Sequence, residues 1–132
     1  MAIERRRRAV DRAMVDRWVA RYEDAWRSEG TDRLAELFTD DVTYLASPWR
    51  EPIHGLVALG GFWEAERDGP DEVFTMSPAV VAVDGMTAVV RVEVDYERGR
   101  PWRDLWVLRF AEDGRVAAFE EWPFAPDTPD GH

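Results

Sequence analysis

Cysteine is missing from this chain of 132 residues. Its absence excludes thiol catalysis, thiolate metal sites and a disulfide framework, and it fits a reducing, cytoplasmic setting. Histidine is nearly absent. His54 sits in a Pro-Ile-His-Gly turn and His132 at the far C-terminal end, two positions too distant to make a metal site, so no metal and no cofactor are expected. Positive charge is also scarce: 17 basic residues face 27 acidic ones, for a net charge of −10. That sign opposes non-specific nucleic-acid binding. No apolar run is long enough to span a bilayer, and no signal-peptide core follows the N-terminal arginines. The expected partners include neither nucleic acid nor membrane.

The remaining composition, 45% hydrophobic and 33% charged, is that of an ordinary globular domain, and the length suits one domain spanning 1–132 with a real core. Seven tryptophans are many for this length. Most must be core, yet pockets for apolar ligands are built from the same side chains. Residues 1–10 open with a basic arm, which reads as a solvated lead-in or as an anion-binding tail. A helix is expected over 11–29, where Val15, Trp18, Val19, Tyr22, Ala25 and Trp26 recur at helical spacing and Gly30 ends the run. Thr31 or Asp32 caps a short second helix with Leu34, Leu37 and Phe38 inward. A strand follows over 41–47, closed by Pro48, and then a loop. A third helix over 56–67 turns Leu56, Leu59, Phe62 and Trp63 inward, and a long strand over 73–83 bends at Ser77-Pro78. The tail at 125–132 is polar, proline-rich and expected to be flexible.

Residues 86–124 organise the rest as three antiparallel strands. In the first, Val90, Val92 and Val94 alternate with Arg91, Glu93 and Asp95, a period of two. Asp113-Gly114 suits the tight turn between the other two. With Glu112 facing Arg115, Phe110 faces Ala117, Leu108 faces Phe119 and Trp106 faces Glu121. A four-residue loop before the middle strand puts Glu93 opposite Trp106 and Asp95 opposite Asp104. A loop one residue shorter flips the faces. Under the four-residue register Arg91, Glu93, Asp104, Trp106, Phe119 and Glu121 share one face. Val92, Val94, Leu105, Val107 and Trp122 then form an apolar plate on the other. The expected class is α+β: a curved antiparallel sheet forming a cone, closed by N-terminal helices.

The helix WVARYEDAW, the run LAELFTDDVTYLASPW, the PIHG turn into a helix with Phe62-Trp63, and LWVLRF-AEDGRV-FEEWPF resemble the SnoaL-like branch of the nuclear transport factor 2-like superfamily. The resemblance runs from about residue 15 to residue 123. It implies a cone with an internal pocket for a small, partly apolar organic molecule, and cofactor-free acid–base chemistry of the epoxide-hydrolase or the cyclase/isomerase kind. The isomerase aspartates are replaced by Ala46 or Ser47 and by Trp106. The epoxide-hydrolase pattern is matched by Arg91-Val92-Glu93, by Glu121 and by Tyr44, with both acids lengthened to glutamate and the asparagine replaced by Ala46.

Arg91, Glu93, Glu121 and Tyr44 are therefore the expected catalytic set: two carboxylates bridged by an arginine can supply both an acid and a base. The alternative is an ion network that only satisfies its own charges, in a non-catalytic ligand-binding or interaction domain. Trp18, Tyr22, Trp49, Trp63, Asp104, Trp106 and Phe119 are the expected ligand-binding residues, with Trp49 and Trp63 as a lid. The apolar plate is expected to pair two copies into a homodimer, as the convex face does in related folds.

Overall fold

In the computed structural model, residues 9–67 and 72–129 are described; most of the basic arm (1–8) and the end of the tail (130–132) lie outside them. Helix α1 (Arg12–Arg27) starts where the Asp11 side chain accepts a hydrogen bond from the Met14 amide at 2.9 Å, an N-cap worth about 1 kcal/mol. It buries Val15, Trp18, Val19, Tyr22 and Ala25, the stripe that its spacing predicts. The second helix, α2 (Leu34–Leu37), is a single turn capped by neither Thr31 nor Asp32; its N-cap is Arg33, which makes no side-chain capping bond. Phe38 belongs instead to strand β1 (Phe38–Leu45) and is fully buried there.

The loop after β1 contains a two-residue strand, β2 (Ile53–His54), and leads into helix α3 (Leu56–Glu66), which buries Leu59 and Trp63. Four longer elements follow: β3 (Phe74–Asp84), β4 (Thr87–Tyr96), β5 (Trp102–Phe110) and β6 (Val116–Phe124). Gly85 and Gly114, with φ of 61° and 89°, make the two tight turns in the left-handed region that glycine tolerates best. The irregularity in β3 falls between Val80 and Ala82, not at Ser77-Pro78.

The strands form one sheet in the order β2-β1-β6-β5-β4-β3. It is mixed rather than wholly antiparallel, because β1 runs parallel to β6. The last strand in sequence thus lies between β1 and β5. Helices on one side of this open sheet give the expected α+β architecture. Among the described residues no helix is long and apolar enough to cross a membrane.

The β5–β6 hairpin has the expected register, with Leu108 opposite Phe119 and Trp106 opposite Glu121. A shift after Arg109 then pairs Phe110 with Val116 rather than Ala117. The β4–β5 register differs more: Val90 faces Trp106, Val92 faces Asp104 and Glu93 faces Arg103. The two strands are displaced by three residues from the expected pairing, and an odd displacement exchanges their faces.

Burial explains the choice. Val90 and Val92 are wholly buried, and each such side chain gains about 1.5–3 kcal/mol from leaving water. The other register would have buried Arg91, Glu93 and Asp95 in their place, at a large desolvation cost. Val92 and Val94 are therefore absent from the apolar plate. The outer face keeps Leu105, Val107, Trp122 and Phe124, interspersed with Arg91, Glu93, Arg103 and Glu120.

Both chain ends of the described region are anchored. The Val10 amide donates to the Gly85 carbonyl at 3.0 Å, and Val10 is buried, so the arm stops short of residue 10. Ala125 is also buried, and Asp127 accepts two hydrogen bonds from Arg100, so the tail is docked at its start.

Candidate active site

A cavity of about 450 Å³ opens between the inner face of the sheet and helices α1 and α3. Its floor comes from β5 and β6. Asp104 and Trp106, two residues apart on β5, point to the same side, and Glu121 lies opposite Trp106 on β6. Tyr22 and Trp26 of α1, Tyr44 of β1 and Phe62 of α3 supply one wall, and Phe74, Met76 and Val94 of β3 and β4 another. Charged side chains enter from loops and helix ends: Arg50, Glu66, Glu72, Arg98 and Arg100.

Behind the floor lies an aromatic stack. Phe119 stacks on Tyr44 at a ring separation of 4.4 Å and on Tyr22 at 5.8 Å. The two tyrosine hydroxyls meet at 3.4 Å. Both phenols are pushed well above their ordinary range, first by burial, with the charge of Glu121 adding to the effect. They remain hydroxyl donors.

Asp104 is only 7% exposed, and its Oδ1 has no hydrogen-bond partner within the protein; the buried Nε1 of Trp106 lacks one too. Unpaired buried groups cost about 1–3 kcal/mol each, so the floor of the cavity carries polar groups that the protein itself leaves unsatisfied. Burial pushes Glu121 well above the carboxylate range, and its hydrogen bond and repulsion with Asp104 push it further. Burial also raises Asp104, while the hydrogen bond from Glu121 pulls it back down. The two acids thus titrate as a pair, both held above the ordinary carboxylate range by burial. Among the described residues no group of three or more histidine, cysteine, aspartate or glutamate side chains is placed to hold a metal ion.

Of the expected site residues, Glu121, Tyr44, Tyr22, Asp104 and Trp106 come together at the cavity. Arg91 and Glu93 do not. The shifted register puts them on the outer face, across the sheet from Glu121, so the expected triad is not assembled. Trp49 is 98% exposed and covers nothing, and Trp63 is buried core, so neither forms a lid. Trp18 and Phe119 are likewise core; the Trp18 Nε1 donates to the Leu37 carbonyl at 3.0 Å.

The Asp104–Glu121 pair was within reach of sequence reasoning, because the Asp113-Gly114 turn alone places both on one face. The loop arginines carried no periodic signal.

The SnoaL-like domain family matches residues 19–119. No curated protein matches the chain. Among solved structures, a candidate polyketide cyclase from Sinorhizobium meliloti is 28% identical, with a TM-score of 0.64 over 82% of this chain and 97% of that one. SalBIII, an epoxide hydrolase/cyclase-like enzyme with a role in pyran ring formation in the polyether salinomycin, is 15% identical, with a TM-score of 0.69 over 86% and 93%. An epoxide hydrolase of M. tuberculosis, LEH-like, is 16% identical, with a TM-score of 0.66 over 85% and 84%. The last two likenesses are of fold. By the match to residues 19–119, on a cone with its cavity over β5 and β6, the chain belongs to the SnoaL-like domain family.

Proposed function

We propose that this chain binds a small, partly apolar organic molecule in its cavity and performs acid–base chemistry on it, with Glu121 as proton donor and Asp104 as base. The observation that carries this reading is the Asp104–Glu121 carboxyl pair on the floor of the cavity, both acids raised by burial. On an epoxide, the Glu121 proton passes to the ring oxygen as the C–O bond breaks. Asp104 takes a proton from the water that attacks the ring carbon, and a diol results. On a ketone, Asp104 removes the α proton, and Glu121 protonates the enolate oxygen. Tyr44 and Tyr22 hold their hydroxyl protons and orient the bound molecule.

The test is turnover of a panel of terminal and cyclic epoxides and of enolisable ketones, followed by mass spectrometry. Glu121→Gln and Asp104→Asn should each lower the rate by about 10²–10⁴-fold, the usual size of a general acid or base contribution. Full activity in either variant overturns the assignment. Ligand retained through purification but turned over by neither wild type nor variants favours a binding protein.

The outer face supports self-association. Leu105, Trp122 and Phe124 there remain 39%, 41% and 38% exposed, and we propose that a second copy covers them in a homodimer.

A further inference from the structure

The cavity has two chemically different ends. Asp104, Trp106 and Glu121 make the floor, whereas Arg50, on the loop after β1, and Arg98, between β4 and β5, are exposed side chains that reach the same cavity from its rim. Neither arginine has an ion-pair partner among the described residues, although the chain carries 27 acids. Arg50 lies over the Phe62 ring at 5.4 Å, a contact that leaves its guanidinium edge open. Arg100, which lines the same cavity, is already bound by Asp127 through both carboxylate oxygens, so its charge is taken.

Between rim and floor the lining is largely aromatic. Glu66 and Glu72 share it, Glu66 within the field of Glu121 and Glu72 within that of Tyr96. An organic acid suits this order of groups. Its carboxylate can take bidentate hydrogen bonds from a guanidinium at the rim, while its ring body lies on the aromatic wall and its far end reaches the carboxyl pair.

We propose that the molecule bound here is an organic anion: a ring compound whose carboxylate is held at the rim by Arg50 and Arg98, with the reacting carbon at Asp104 and Glu121. This names the substrate class of the site described above and rests on that reading. A neutral isostere loses the charge in the rim contacts, and an amine meets two guanidinium groups on entry.

Three probes with one skeleton decide it: 2-naphthylacetate, 2-naphthylacetamide and 2-(2-naphthyl)ethylamine, titrated by calorimetry at neutral pH. The acid should bind roughly tenfold more tightly than the amide, with the amine weakest, and its affinity should fall as salt rises. Arg50→Gln with Arg98→Gln should erase the difference between acid and amide. Both side chains are exposed, so the double variant should fold, and circular dichroism checks that it has. Equal affinities, a preference for the amine, or an acid preference that survives the double change overturns the anion inference alone. Failure of all three probes to bind overturns the small-molecule reading as well.

Discussion

Asp104 and Glu121 are diagonal neighbours on adjacent antiparallel strands: Asp104 is paired with Pro123, and Glu121 with Trp106. Side chains at such diagonal positions are within reach of each other when one is long. Glutamate on β6 supplies the length, and burial beside Asp104 favours its protonated form.

That proton ties stability to pH. Folded Glu121 keeps it well above the ordinary value of 4.5, whereas the unfolded chain releases it there. Between those values the native state binds the extra proton, so stability must fall as pH rises through the window. Asp104, also raised, contributes with the same sign. Urea denaturation from about pH 5 to pH 8 should show wild type losing stability relative to Glu121→Gln. A gap between the two that does not change with pH would mean that Glu121 is ionised in the folded protein.

The three tyrosines offer a separate check on burial. Tyr22 and Tyr44 are lifted well above 10 by desolvation, and Tyr96, near the rim, to about 12. The native protein at about pH 10.5 should show almost no tyrosinate absorbance at 295 nm, whereas the same chain in urea should titrate near pH 10. One tyrosine ionising normally in the folded state would show that its surroundings are wetter than described.

Trp18 closes the cone through contacts with Tyr22, Phe38, Phe110 and Phe119. Trp18→Ala should cost about 3–5 kcal/mol, the range for large aromatic truncations in cores. A loss under about 1 kcal/mol in urea denaturation would place the side chain at the periphery.

Trp122 and Val107 lie on the outer face, where self-association is proposed. Light scattering after size exclusion should give a dimer at micromolar concentration. Trp122→Glu or Val107→Glu should give a monomer with the same circular dichroism, since each sets an unpaired charge in the contact. Wild type eluting only as monomer removes the dimer.

The helices and the β5–β6 hairpin were legible because each carries a local rule. Val15, Trp18 and Tyr22 repeat at helical spacing, and Asp113-Gly114 admits few turns. From those rules Trp106, Glu121 and Asp104 fall on one face, which is most of the cavity floor. The β4–β5 pairing was not legible from its loop. Residues 97–101 carry no signal that fixes a length, and the register is decided by where Val90 and Val92 find the core. Reading that alternation as a demand for burial would have kept Arg91 and Glu93 outside. The parallel partnership of β1 with β6 joins segments about 75 residues apart, and no local rule reaches that far.

That partnership also governs the order of assembly. β6 carries Glu121 and fills the middle of the sheet, yet it follows every other strand from the ribosome. Until it emerges, β1 and β5 each present an open edge, and the growing chain holds Asp104 without Glu121 beside it. A nascent or prematurely ended chain is thus exposed to edge-to-edge pairing with its neighbours. The step that seals those edges is the same one that completes the carboxyl pair, so chains caught before it lack both.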